Sequence, residues 1–148
     1  MHRELITFEV AGQIFGIDIM AIREIRAWTP AARLPRVPDY VAGVVNLRGS
    51  VLPVIDLSAR LGWQVTDASP RHAIIVTQVR GQARGLIVDS VSDIVTVPSD
   101  AMQPPPAVSL EAIVPFLEGL ATVGDRMVMV LNLEAILEDA PEELGCAA

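Results

Sequence analysis

Two small, similar β-barrels packed together, an all-β architecture with a few short helices, are what this sequence predicts. Three observations lead there. The chain repeats itself, in the same order, across its two halves. Its apolar segments are short runs rich in β-branched residues, separated by glycine-bearing turns. Helical periodicity is scarce outside the C-terminal stretch. A half-chain of about four or five short strands cannot bury a sheet with open edges, and closing the sheet on itself removes those edges. Two such barrels side by side leave a groove at their junction, where binding sites commonly form.

The repeat comes first because it governs every local reading. VAGQIFGIDIMAIREI (10–25) matches VRGQARGLIVDSVSDI (79–94) without a gap. Val10, Gly12, Gln13, Gly16 and Ile25 recur as Val79, Gly81, Gln82, Gly85 and Ile94. Between them Ile17 meets Leu86, Ile19 meets Val88, Ile22 meets Val91 and Glu24 meets Asp93. Further on, GVVNLRGSVLPVIDL (43–57) matches GLATVGDRMVMVLNL (119–133), with Gly43 on Gly119, Val54 on Val130 and Leu57 on Leu133. Arg48 falls on Gly124, so this arginine belongs to the first copy alone. The expected organisation is a single domain over 1–148 made of two duplicated half-barrels, 10–65 and 79–137, with room for their terminal strands to interleave.

Taken in order, LITFEV and IFGIDI read as a hairpin around Ala11-Gly12-Gln13. DIMAIREIRAW then makes either a short amphipathic helix or a twisted strand, and DSVSDI is its counterpart. TPAARLPRVP is an irregular connection, since proline cannot donate to a ladder. VVNLR and VLPVIDL pair around Gly49-Ser50, and Pro53 inside the second run points to an edge or a bulge. IIVTQV and ARGLIV pair around Arg80-Gly81-Gln82. VPSDAMQPPP is a second irregular connection, and GLATV and MVMVLNL close the series around Gly124-Asp125. NLEAILEDAPEEL is the best helix, with Asn132 as N-cap, Ile136 and Leu137 on one face and Pro141 near its end.

Composition excludes several classes of function. The chain is 51% hydrophobic and 20% charged, ample for a packed interior. Its net charge is −7, and all eleven basic residues are arginine. An acidic chain without a basic run argues against a phosphate-tracking surface for DNA or RNA. Charged residues and prolines interrupt every apolar stretch well short of the roughly 20 residues that span a bilayer, so direct membrane insertion is not expected. The N-terminus lacks the pattern of a secretory signal. Cys146 is the sole cysteine, so no disulfide framework forms, and a reducing, cytoplasmic compartment is implied.

Catalytic and metal chemistry find no constellation. The two histidines are His2, near the terminus, and His72, which opens a strand beside Arg71. Ser50, Ser58 and Ser92 lack a nucleophile-elbow motif. Asp89 and Asp93 suit one helix face, where capping or solvation is the ordinary role. No histidine, cysteine or glycine pattern has the spacing of a metal or phosphate site, so neither enzyme nor cofactor is expected. What remains is a protein-binding module, with a small-ligand barrel as the rival. Arg48 is the residue to watch. It is either a turn residue paired with a nearby carboxylate such as Asp56, or a guanidinium fork placed for a partner. Ile22 is a candidate contact or a core residue, and Glu24 a candidate contact or a solvated one.

The string VAGVVNLRGSVLPVIDL, preceded by FGIDIMAIREI and followed by GLIVDSVSDIVTV and the GDRM of 124–127, resembles the CheW family of bacterial chemotaxis coupling proteins. The likeness runs from about Leu5 to Leu137. It implies two five-stranded β-barrels without catalytic activity, in a protein monomeric when free. The implied partners are the cytoplasmic tip of a methyl-accepting chemoreceptor and the regulatory domain of the CheA-type histidine kinase, itself CheW-like. Position by position, Ile22, Glu24, Arg48 and Ile94 match the receptor-binding set, and Gly43, Asn46, Arg48 and Gly49 match the kinase-binding set. The adaptor would be cytoplasmic and recruited to membrane receptor clusters. Relatives also serve twitching and surface-sensing pathways. Two departures matter: Ala27-Trp28 stands where smaller residues are usual, implying an altered surface beside Ile22, and the tail EDAPEELGCAA has no family role.

Overall fold

The structure is a computed structural model and describes residues 2–104 and 113–137. Pro105, Pro106 and the tail 138–148, with Pro141 and Cys146, lie outside the described residues. Strands β1 (His2–Val10) and β2 (Gln13–Asp18) form a hairpin, and a 3-10 turn over Ile19–Ala21 leads into β3 (Ile22–Ala27). β4 (Val41–Leu47) and β5 (Ser50–Asp56) form the next hairpin, followed by helix α1 (Leu57–Arg60). β6 (Ala73–Val79), β7 (Gln82–Val88), β8 (Ser90–Pro98) and the two-residue β9 (Met102–Gln103) precede β10 (Leu117–Val123), β11 (Arg126–Leu131) and helix α2 (Leu133–Leu137). Three hairpin turns, Ala11-Gly12, Arg48-Gly49 and Arg80-Gly81, have positive φ at both central residues. That is the arrangement of a type I′ turn, whose twist matches the flanking strands.

The strands assemble into two sheets, one ordered β8-β1-β2-β11-β10-β9 and the other β3-β6-β7-β5-β4. The sheets do not coincide with the sequence halves 10–65 and 79–137. Each takes its central hairpin from the opposite half: β1–β2 sits among β8–β11, and β6–β7 among β3–β5. Position by position the two orders are the same, with β8, β1, β2, β11 and β10 standing for β3, β6, β7, β5 and β4. The antiparallel hairpins are joined in each sheet by one parallel pair, β2 with β11 and β5 with β7. The six-stranded sheet differs from the five strands expected by β9, which pairs with β10 through Met102 and Gln103.

Alternation along these strands sorts apolar side chains into three clusters. Leu52, Val54, Ile74, Val76 and Ile87 fill the five-stranded barrel. Leu5, Val97, Ala121, Val128 and Val130 fill the six-stranded one. Between the barrels a larger cluster takes the other faces of the same strands, with Phe8, Phe15, Ile17, Ile55, Ile75, Leu86 and Leu131. A strand buried on both faces reads as a continuous apolar run, which is why IIV and LIV hide their alternation in the sequence. Gly16 and Gly85, matched in the repeat, occupy equivalent crowded places. A Cβ would lie 3.0 Å from Val128 at Gly16 and 2.8 Å from Ile74 at Gly85.

The structure decides several local readings. Of the two left open for DIMAIREIRAW the strand holds, after a 3-10 turn, because Ile22, Ile25 and their neighbours pair with β6 rather than close helical turns. Pro53 marks no edge, since β5 lies between β4 and β7. Val44 exchanges both of its backbone bonds with Ala32, so its pairing with Pro53 asks for no N–H there, and the parallel ladder with β7 starts one residue later. Helix α1, absent from the sequence reading, begins at Asp56, whose carboxylate accepts from the Ala59 N–H at 3.5 Å. The C-terminal helix does begin after Asn132, whose Oδ1 accepts from the Ala135 N–H at 3.3 Å.

Candidate functional site

The five-stranded sheet ends at β3 and β4, and its open seam is bridged by side chains. Glu24 on β3 lies opposite Val76, an interior residue of that barrel, so its carboxylate faces the inner side of the seam. Arg48, at the β4–β5 turn, reaches across: its Nη2 lies 2.9 Å from Glu24 Oε2 and 3.1 Å from Oε1. Arg26 adds a third contact at 3.2 Å. These donors hold the Glu24 carboxyl below its ordinary value, the Arg48 hydrogen bond most of all, with partial burial opposing and Arg26 adding. Among the described residues only Nη2 of Arg48 is used, and its side chain remains 66% exposed.

The turn that carries Arg48 is built to hold it there. Arg48 has φ 51, a left-handed conformation that costs a non-glycine residue on the order of 1 kcal/mol. Gly49 follows with φ 86, and its N–H donates to Asn46 Oδ1 at 2.8 Å. Glu24, Arg48, Asn46 and Gly49 are therefore one constellation around the seam. Asp56, the carboxylate suggested for Arg48, is elsewhere: it is buried and accepts from the Thr66 N–H and hydroxyl, each at 2.7 Å.

The remaining candidates are placed differently. Gly43 is buried, with φ 143, and a Cβ there would run into the Ala32 carbonyl. It lets the 28–40 connection lie against β4 and offers no side chain to a partner. Ile22 is half-buried and packs on the central cluster, as its equivalent Val91 does. Ile94 stands on β8 of the other sheet and is 56% exposed. Trp28 packs half-buried against the barrel interior, and Ala27 before it is exposed.

Sequence reasoning missed exposed apolar residues that the repeat makes visible. Ile25 is the equivalent of Ile94, and both are exposed. Val51 and Met127 occupy the same place on equivalent hairpins and are 72% and 53% exposed. It also missed Arg60, whose guanidinium lies over Tyr40 and Phe116.

The rival readings meet specific geometry. His72 Nδ1 accepts from the Ser69 N–H at 3.1 Å, which places the ring proton on Nε2, 3.5 Å from Asp89. The nitrogen that would have to take a proton from the nearby Ser69 hydroxyl is thus already occupied, and Asp89 also accepts from the Ala11 N–H at 2.9 Å. The barrel interiors are filled by side chains, leaving no lumen for a ligand among the described residues. A cavity of about 350 Å³ lies outside them, lined by Asp18, Val79, Glu118, Leu131, Asn132 and Glu134. Arg3 pairs with Glu118 at 2.7 Å and Asp18 at 3.3 Å, and Arg80 with Glu134 at 2.9 Å. Among the described residues no cluster of histidine, cysteine or carboxylate side chains could hold a metal, and no helix is long and apolar enough to cross a membrane.

Comparison with known proteins gives one consistent answer. The family model described as the CheW-like domain matches residues 4–141. The probable chemotaxis protein CheW of Rhizobium etli is 48% identical over 141 residues, covering 95% of this chain and 91% of that protein. The protein PilI of Pseudomonas aeruginosa is 31% identical over 117 residues, covering 78% of this chain and 65% of PilI. Among solved structures, the scaffolding protein TtCheW of Thermoanaerobacter tengcongensis superposes with a TM-score of 0.83 at 32% identity, covering 93% of this chain and 88% of that one. Two sheets of one strand order and filled barrels are accounted for together: the chain belongs to the CheW family of non-enzymatic chemotaxis adaptors, which couple chemoreceptors to the CheA-type histidine kinase.

Proposed function

We propose that this adaptor works in the cytoplasm, monomeric when free, and joins the tip of a methyl-accepting chemoreceptor to the regulatory domain of a CheA-type kinase. Ile22, Glu24, Arg48 and Ile94 form its receptor side, and Asn46, Arg48 and Gly49 its kinase side, with Gly43 shaping β4 beneath. The observation that carries this reading is the exposed guanidinium of Arg48, held by Glu24 yet with most of its donors unused. An arginine fork so placed can make several directional bonds at small entropic cost. The halves 10–65 and 79–137 are read as products of duplication, which the shared strand order supports. Chemotaxis is the pathway favoured by the Rhizobium etli relative, and PilI, at lower identity, stands for the related-pathway alternative.

The test is three-component co-sedimentation of the chain, a CheA-type kinase and receptor cytoplasmic fragments on vesicles. Wild type is expected in the pellet with a changed kinase activity. Arg48→Glu is expected to stay folded and lose most of that change. Equal behaviour of the two proteins would return Arg48 to a turn residue, and no binding by either would overturn the adaptor assignment of these surfaces.

A further inference from the structure

Arg60 lies on α1, at the end of the five-stranded unit, but its side chain leaves that unit. Its Nε–H donates to the Ile136 carbonyl at 2.8 Å and its Nη2 to the Ala135 carbonyl at 3.2 Å. Both carbonyls belong to α2, in the six-stranded unit. The guanidinium also lies 4.5 Å from the Tyr40 ring centroid and 4.7 Å from that of Phe116.

Tyr40 and Phe116 are equivalents in the two units. The Tyr40 carbonyl accepts from the Asp56 N–H at 2.7 Å, and the Phe116 carbonyl accepts from the Asn132 N–H at 2.8 Å. Asp56 and Asn132 in turn precede α1 and α2. One cation therefore sits where the same corner of the two barrels meets itself, stacked between one aromatic ring from each. The corresponding place on α2 is Ile136, fully buried in the central cluster. Among the described residues the clamp exists once.

We propose that Arg60 is a positioning residue that holds the two barrels at one orientation, and that coupling depends on this orientation as well as on contacts with partners. On the reading above, a receptor contact at Ile94 on one barrel alters a kinase contact at Asn46 and Gly49 on the other only if the barrels move as one body. An adaptor whose barrels pivot would still bind both partners and transmit less. The inference rests on the adaptor reading above. Methionine at this position keeps an apolar stem and loses the donors and the charge; lysine keeps the charge but loses the planar fork.

The experiment uses full-length Arg60→Met and Arg60→Lys, with circular dichroism and a thermal melt to establish folding. Binding to kinase alone and to receptor fragment alone is measured by titration, and the receptor-dependent change in kinase activity in the ternary assembly. Distances between spin labels at Gln78→Cys and Thr122→Cys, in a Cys146→Ser background, report the angle between barrels. Each single-partner affinity is expected within about twofold of wild type, while the kinase response falls about fivefold or more and the distance distribution broadens. Arg60→Lys is expected between the two, and it carries the test if Arg60→Met does not fold. An unchanged kinase response, an unchanged distance distribution or the loss of binding to one partner would overturn the proposal. A wild-type chain that does not couple the partners would mark failure of the adaptor reading, while the distance distribution still decides whether Arg60 clamps the barrels.

Discussion

The five-stranded and six-stranded barrels are built on one strand order and finished with different chemistry. Their interiors agree: Gly16 with Gly85 at the crowded parallel pair, Gly43 with Gly119 at the bulge of β4 and β10, Asp56 with Asn132 before each helix. Their surfaces diverge. Residues 22–88, which supply the five-stranded unit, hold nine arginines against four carboxylates, a net of +5. The other described residues hold two arginines against nine carboxylates, a net of −7. The hairpin apex that carries Arg48 in one unit carries Gly124 in the other. Positions that decide packing are alike because the same backbone crossing meets the same steric limit. Exposed positions are free to differ, and there the two units carry opposite net charge.

The deepest test of this likeness is at the bulge glycines. Gly43→Ala would drive a Cβ into the Ala32 carbonyl at a φ of 143, so a loss of about 3 kcal/mol or outright failure to fold is expected. At Gly119 a Cβ would lie 2.8 Å from the Gln103 carbonyl, without a positive φ to add strain. There Gly119→Ala is expected to cost about 1–2 kcal/mol. Urea unfolding of both variants measures the gap, and equal losses would show that the two bulges are closer in kind than their backbones indicate.

Next in size is the pair of helix starts. Asp56 is buried, and removing its carboxylate in Asp56→Ala leaves the Thr66 N–H and hydroxyl without their acceptor, at about 2–3 kcal/mol. The Asn132 side chain accepts one bond among the described residues, from the Ala135 N–H, and Asn132→Ala is expected to cost about 1 kcal/mol. A larger loss at Asn132 would reverse the ranking of the two corners.

Much of this scaffold was legible in the residues, for reasons that also mark where legibility ended. The repeat, the hairpins and the two barrels follow from short apolar runs punctuated by glycine, a pattern that strands buried on both faces cannot avoid. The exchange of central hairpins was not legible, because 10–25 and 79–94 match equally well whichever sheet receives them. Helix α1 is a single turn, too short for periodicity to register. Of the site, Glu24 and Arg48 were both named, but their pairing spans 24 residues of chain and depends on how far the sheet curls. The burial of Gly43 was not legible either, because motif position says nothing of burial. Arg60 went unnoticed, although Tyr40 and Phe116 are separated by the same interval as the matched hairpins.

The smallest effect on stability concerns the pair that distinguishes the units most. Arg48→Glu and Glu24→Gln break an exposed ion pair, and each is expected to move Tm at neutral pH by less than about 2 °C. The pH dependence has a definite sign. The Glu24 carboxyl is held below its ordinary value of 4.5, so its contribution is fully present above that value. It is lost as pH falls through the lower value of the folded state. Tm curves of wild type and Glu24→Gln, recorded from neutral pH down to about pH 3, should therefore converge only at the acid end. Asp93→Asn is the control in the other barrel: Gly124 stands where the equivalent of Arg48 would be, and Tm is expected to stay as in wild type. A difference between wild type and Glu24→Gln that grew as pH fell would mean that the seam is held by something other than the ionised pair. In that case the exposed guanidinium of Arg48 would owe its position to the turn alone.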